Sequence, residues 1–234
     1  MLKTLCYISV LQDRDLMIFE EKRWVVAPKC DSAFIEFLSK HYFPHVSQFD
    51  GGTVCLLRGM IGKSSNEFIL ISYHRDISSW ESYTTSNIPT YQSAEIESSV
   101  LLNSISSDPL ISLSGDTLKD IYGYREFTID PKDTETFIEC SEKGIWPRVR
   151  TQGGKVLGLW ANLSEENPAR ILLLTGYDSV SHWEGTRSTN QYGLSYEHIR
   201  QAPAELTDQE KTLRKIREDI TITTKVNLMK TVSL

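Results

Sequence analysis

The chain has 234 residues, with 25 Lys and Arg against 31 Asp and Glu and a formal net charge of −6 at pH 7. Hydrophobic residues make up 40% of it and aromatic residues 10%, which suits a chain that buries a core, and the length fits two units of about 100 residues each. No basic run interleaves with aromatics, so nucleic acid is an unsuited partner. The apolar stretch 5–11 falls well short of the ~20 residues of a transmembrane helix. It runs into Asp13-Arg14-Asp15 with no small-residue cleavage site, so neither a membrane partner nor secretion is expected. Cys6, Cys30, Cys55 and Cys140 show no CxxC and no metal-like spacing, and are expected to be reduced thiols of a cytoplasmic protein.

Residues 5–10 predict a strand. Residues 22–26 alternate and are rich in aromatic and β-branched side chains, so a strand is expected there too. Pro28 and Asp31 then mark a helix start. Phe34, Phe37 and Leu38 give that helix one apolar face, and Pro44 should end or kink it. Gly51-Gly52 is a turn leading into a strand over 53–58, followed by the apolar strand Phe68-Ile69-Leu70-Ile71-Ser72-Tyr73. Ser78 is the expected start of a second helix. The Ser- and Thr-rich stretch 84–114 reads as a helix with long loops, with 110–113 as the closing strand.

The order then begins again. Residues 125–129 predict a strand, and Asp130 and Pro131 a helix start; Phe137, Ile138 and Ile145 form the apolar face and Pro147 lies near the helix end. Gly153-Gly154 leads into a strand over 155–160, Ile171-Leu172-Leu173-Leu174-Thr175-Gly176 is the next strand, and Ser181 starts a helix. Thr207-Asp208-Gln209-Glu210 is a capping-box pattern that predicts a helix over 207–220, with the basic stretch 211–217 as its solvated face. Alternation of Ile222, Thr224, Val226 and Leu228 predicts a closing strand over 221–228.

This order is an internal repeat. Pro28-Lys29, Phe34-Ile35-Glu36, Lys40 and Pro44 recur 103 residues later as Pro131-Lys132, Phe137-Ile138-Glu139, Lys143 and Pro147, and Trp80-Glu81 recurs as Trp183-Glu184. At the glycine pair the offset reads as 102, which implies a one-residue loop difference. Strand, helix, strand, strand, helix, strand is the ferredoxin-like order. The expected fold is α+β: two ferredoxin-like repeats, residues 1–114 and 115–234, forming an intramolecular (pseudo-dimeric) α/β barrel. Each unit leaves one sheet face bare, and closure of the two would hide both faces and leave a pocket between the sheets.

The second copy also resembles a known family. Tyr124-Arg125-Glu126-Phe127, Glu142-Lys143-Gly144-Ile145-Trp146-Pro147 and Val156-Leu157-Gly158-Leu159-Trp160 follow one another as in NIPSNAP-like proteins, as do Leu173-Leu174-Thr175-Gly176-Tyr177-Asp178-Ser179 and His182-Trp183-Glu184-Gly185-Thr186-Arg187. The resemblance covers about 65 residues. It implies the dimeric α/β-barrel superfamily, which includes cofactor-free monooxygenases, cyclases, isomerases, haem-binding enzymes and proteins with no established activity.

Strand parity separates two sheet faces. Trp24 and Val26 align with Phe127 and Ile129, which suits the face beneath the helices, while Arg23 and Glu126 fall on the opposite, barrel-lining face. There they would polarise a substrate, with His74, at a strand end, as a proton carrier. Leu56/Leu159 and Leu70/Leu173 agree between copies and suit shared packing. Where the copies differ, Cys55, Leu57, Tyr73, Trp160 and Leu174 become candidate pocket walls, with Gly158 and Gly176 opening space. Tyr124 and Tyr177, the latter aligned with His74, complete the substrate-binding set. His41 and His45 have metal-pair spacing but Pro44 intervenes and no third ligand follows, so no metal is expected; His182 reads as a residue at a helix start. No phosphate loop or nucleophile elbow is present, and no cofactor is expected. The reading is a small enzyme of cyclase or isomerase type acting on an apolar or aromatic metabolite. Two alternatives remain open, a haem-dependent or monooxygenase-type enzyme and a non-catalytic binding protein, and a homodimer is left open as well.

Overall fold

A computed structural model describes residues 17–106, 118–164, 166–187 and 203–233. The predicted strands over 5–10 and 110–113 lie outside these residues. Two compact units are present: among the described residues one takes in 17–58, 64–103 and 232–233, the other 59–63 and 104–231.

In the first unit β1 (Ile18–Val26) leads to α1 (Asp31–Phe37), a π-helical turn (Leu38–Tyr42) and α2 (Phe43–Ser47); β2 (Gly51–Ile61), β3 (Glu67–His74), α3 (Ile77–Thr84) and β4 (Ala94–Ser104) follow. Its antiparallel strands are ordered β4-β1-β3-β2. The second unit repeats the plan: β5 (Ile121–Ile129), a 3-10 turn (Pro131–Asp133), α4 (Thr134–Glu139), a π-helical turn (Cys140–Ile145), α5 (Trp146–Thr151), β6 (Lys155–Asn162), β7 (Ala169–Tyr177), α6 (Val180–Gly185), α7 (Ala204–Asp219) and β8 (Thr221–Thr231). Its order is β8-β5-β7-β6, again antiparallel. Both orders are ferredoxin-like.

The helix before each shared proline does not end there. Proline lacks an N–H and crowds the carbonyl four residues back, and in both repeats a π turn just ahead of Pro44 and Pro147 absorbs that misfit. The glycine-pair turn keeps the 103-residue offset rather than shifting to 102. Asp50 (φ 54°) and Gly153 (φ 87°) take the left-handed conformation at equivalent positions. A β-bulge follows each, between Thr53 and Cys55 and between Val156 and Gly158.

Several boundaries differ from the expectation. The stretch expected as a helix with loops contains β4: Val100 and Leu102 face inward among polar residues, and pairing to β1 outweighs the weak strand propensity of its serines. The helices expected at Ser78 and Ser181 are capped two residues earlier by Asp76 and Ser179, whose side chains accept from the backbone N–H groups of Ser79 and His182. Asp130 caps its turn, whereas Asp31 pairs with Arg58 at 3.0 Å. The helix expected from Thr207 begins at Ala204, with Thr207 donating its hydroxyl to Pro203 O rather than capping.

One sheet face of each unit packs against its helices. Trp24, Val26, Leu56, Phe68 and Leu70 meet Phe34, Leu38, Val46 and Tyr83 in the first; Phe127, Ile129, Leu159, Ile171 and Leu173 meet Phe137, Ile145, Trp146 and Val149 in the second. The parity assignment of Trp24, Val26, Phe127 and Ile129 therefore holds, as does the shared packing of the paired leucines. Even the edge-to-face contact repeats: Trp24 meets Phe34 at 5.6 Å and Phe127 meets Phe137 at 5.0 Å between ring centroids. Because Phe34 and Phe137 are fully buried at the same point of each core, Phe34→Ala and Phe137→Ala should each cost about 3–5 kcal/mol of unfolding free energy in denaturant titrations.

Candidate functional site

Alternation along β1 places Glu20 and Lys22 on the same face as Trp24, beneath the helices. Charge on that face must be answered locally, because a lone buried ion is costly. Lys22 Nζ lies 3.1 Å from Glu20 Oε1 and donates to Tyr42 Oη at 2.8 Å and Tyr83 Oη at 3.2 Å, while the two phenols hydrogen-bond each other at 2.6 Å. Ser99 Oγ donates to Glu20 Oε1 at 2.6 Å. His74, fully buried, stacks its ring beside Tyr83 at 5.1 Å and sets Nε2 3.9 Å from Glu20 Oε2. At that distance His74 acts on the carboxylate through charge and dipole rather than as a donor. The π turn supplies Tyr42 and α3 supplies Tyr83.

Burial alone would raise the Glu20 carboxyl; His74, Lys22 and Ser99 outweigh it and hold the group down at about 2. Burial, reinforced by Tyr83 and Glu20, pushes the Tyr42 phenol far above its ordinary value, and burial likewise raises Tyr83. Both phenols are therefore neutral donors. Lys22 and Tyr42 form the polar end of a cavity of about 360 Å³ whose walls include Trp24, Phe34, Phe37, Ile88 and Tyr91. An apolar chamber ending in an ammonium and a phenol suits a molecule that is mostly ring or hydrocarbon with one oxygen on which negative charge can develop.

His74 therefore belongs to a buried network. The other predicted residues lie elsewhere. Arg23, on the opposite face of β1, donates from Nε to Glu21 Oε1 at 2.9 Å. Glu126 accepts from Arg170 at 2.7 and 3.0 Å, and the same guanidinium donates to Tyr124 Oη at 2.9 Å. Cys55 and Leu57 on β2, and Trp160 and Leu174 on β6 and β7, are buried. Burial pushes the Cys55 thiol up to about 12, leaving it an apolar wall. The space expected beside Gly158 is filled by the ring of Trp160, and that beside Gly176 by Tyr122 and Lys119. Gly52 likewise makes room for the Tyr73 ring. These glycines accommodate neighbouring side chains of their own repeat. Tyr177 lies under the helices and accepts from Arg125 Nη2 at 3.2 Å.

Glu20, Lys22, Tyr42 and Tyr83 were missed. Lys22 shares the parity of Trp24 and Val26, so the rule that separated the faces already put a lysine on the covered one; Glu20 lies before the expected strand, which in fact begins at Ile18. Arg125 stands in the same relation to Phe127 and Ile129.

The metal and haem expectations meet definite geometry. His45 Nε2 is bonded to Ser86 Oγ at 2.8 Å, and His41 lies against Phe37. Among the described residues no group of three metal-ligating side chains converges. His182 has both ring nitrogens engaged, Nε2 with Gln152 O at 2.8 Å and Nδ1 with the Asp178 N–H at 3.1 Å. No described histidine lines the aromatic cavity or the arginine-rich cavity of the second unit.

No protein-family profile matches the chain, and no curated protein matches it in sequence. Solved structures do match in fold. An anthrone oxidase-like protein aligns with a TM-score of 0.60 at 15% identity, covering 94% of this chain and 93% of its own. A provisionally assigned monooxygenase from Lactobacillus acidophilus NCFM aligns at 0.56 with 11% identity, covering 92% and 94%. A chlorite dismutase variant from Candidatus Nitrospira defluvii aligns at 0.54 with 8% identity, covering 93% and 92%. The fold shared with these structures is α+β, with two ferredoxin-like halves. Among the described residues no helix is long and apolar enough to cross a membrane.

The depressed Glu20 carboxyl has a consequence for acid stability. A folded value of about 2 against 4.5 for the free group corresponds to about 3 kcal/mol, present in full above pH ~4.5 and lost as pH falls through ~2. Glu20→Gln should lower stability at pH 7 and flatten its fall between these pH values, read as denaturant midpoints across the acid range.

Proposed function

We propose that the protein is a small-molecule enzyme that binds a neutral aromatic or largely apolar metabolite in the cavity above Lys22. The observation that carries this reading is a chamber walled by rings with an ammonium and a neutral phenol at one end. Lys22 is balanced by Glu20, so the chamber favours an uncharged ligand. Its carbonyl or phenolic oxygen would accept from Tyr42 Oη, beside the charge of Lys22, whose three N–H donors are engaged by Glu20, Tyr42 and Tyr83. The phenol and the adjacent ammonium charge stabilise the enolate or phenolate that forms when a neighbouring proton leaves to solvent. Tyr83 and Glu20 hold Tyr42 and Lys22 in place.

Such an anion has two fates. Reaction with molecular oxygen gives an oxygenase or oxidase; protonation or bond formation at another carbon gives an isomerase or cyclase. The fold shared with an anthrone oxidase-like protein and a provisionally assigned monooxygenase supports the first. Arg23 in the first unit and Glu126 in the second remain candidates for polarising a substrate, and Cys55, Leu57, Tyr73, Tyr124, Trp160 and Leu174 remain candidates for binding one.

Anthrone serves as the probe. Its conversion to the quinone consumes one O₂ and releases one water per molecule, and the chain should accelerate oxygen uptake measured at an electrode. Lys22→Met and Tyr42→Phe should each slow it roughly 10²-fold, and Ala94→Leu, which fills the cavity wall, should block binding. Turnover without oxygen uptake would move the assignment to the isomerase or cyclase class. Ring-probe binding untouched by Ala94→Leu and Lys22→Met would overturn the reading.

A further inference from the structure

The second repeat has its own cavity beneath the helices, of about 290 Å³, and its chemistry is different. Arg125 on β5, Arg148 on α5, Arg187 beyond α6 and Arg214 and Arg217 on α7 line it with Trp146 and Tyr177. The basic stretch expected to be solvated is thus split. Helical spacing sets Glu210, Leu213, Arg214 and Arg217 along one face, which packs inward.

Three of these guanidinium groups have carboxylate partners. Arg148 and Arg214 share Glu210, and Arg187 pairs with Glu184 at 3.0 Å. Arg125 and Arg217 have none within ion-pair distance among the described residues. Arg125 donates to Tyr177 Oη and, at 3.4 Å, to Gly123 O. Arg217 donates to Ser141 Oγ at 3.2 Å and lies over the rings of Phe127 and Phe137, 5.0 and 5.2 Å from their centroids. Burial first, then the like charges of Arg125 and Arg214, lowers the Arg217 guanidinium to about 10. Among the described residues, five guanidinium groups against the carboxylates of Glu184, Glu210 and Glu218 leave a net charge of two positive around the cavity.

Comparison of the repeats explains the imbalance. Lys22 and Arg125 occupy equivalent positions, 103 residues apart, as do Glu20 and Gly123 and also His74 and Tyr177. In the first repeat the buried cation is answered by Glu20. In the second the carboxylate is replaced by a hydrogen atom, and Arg125 folds back over Gly123 into the space a Cβ would need. The cation has been kept and its internal partner removed. Cationic side chains held together in a partly desolvated cavity are stabilised by an anion from outside.

We propose that this cavity binds a small organic anion, a carboxylate or phosphate on a compact apolar body, with Arg125 and Arg217 holding the charged group. Tyr177 and Thr175 add hydroxyl groups, Trp146 and Leu173 supply the apolar wall, and the volume, at the low end of ordinary ligand sites, limits the body to a small molecule.

Calorimetric titration of the full chain carrying Ala94→Leu, which fills the cavity of the first repeat, with benzoate, phenyl phosphate and neutral benzamide at fixed ionic strength tests this. At least one anion should bind saturably, with benzamide roughly tenfold weaker or more. Preference for benzoate assigns a carboxylate ligand, preference for phenyl phosphate a phosphate one. Arg125→Gln and Arg217→Gln should each weaken the preferred anion about tenfold or more. Should either variant fail to fold, the contrast between anion and amide with both arginines intact decides alone. Absence of saturable anion binding, equal binding of benzamide, or anion binding unchanged in both folded variants would overturn the proposal.

Discussion

A cation on the helix-covered face of a β-sheet has to be neutralised where it stands. Each repeat places one there, Lys22 on β1 and Arg125 on β5, at equivalent positions beneath equivalent helices. Either charge alone would be costly to bury. The first repeat resolves the difficulty internally with Glu20, Tyr42, Tyr83 and Ser99 around Lys22. Among the described residues the second retains only neutral acceptors around Arg125 and adds the nearby charge of Arg217. The two cavities share only the Lys22/Arg125 and Tyr42/Ile145 positions of their linings, and their chemistry differs with the partners of those cations.

The scaffold that makes the comparison possible is conservative between halves. The π turn before the shared proline, the left-handed residue before the second strand, the bulge after it and the edge-to-face aromatic pair all recur. Recurrence of such local irregularities shows that they are structural necessities of this packing. Within that frame Gly123, where the first repeat has Glu20, leaves the buried cation of β5 without a carboxylate on its own strand.

Much of the fold was legible from the repeat. Spacing of Phe34, Leu38, Phe137 and Ile145 gave the helices, and parity gave the covered faces. The strand β4 was not legible, since Ser98, Ser99 and the glutamates around them carry little strand propensity and its position is settled by pairing with β1. His74 was found for its chemistry and does end β3, while its burial beside Tyr83 depends on where α3 packs. Gly158 read as open space, yet the side chain two residues on fills it. Lys22 and Arg125 were readable in principle: a charge sharing the parity of Trp24 or Phe127 is an exception to apolar patterning, and such exceptions mark sites.

Charge balance beneath the helices should therefore decide which ligand each repeat accepts. Side-chain ¹⁵N spectra of the tryptophan indoles and arginine Nε groups, recorded while titrating benzamide or benzoate, test this directly. Benzamide should move the indole of Trp24 and leave Arg125 and Arg217 in place, whereas benzoate should move the two arginines saturably. Both ligands perturbing the same set of resonances would contradict it.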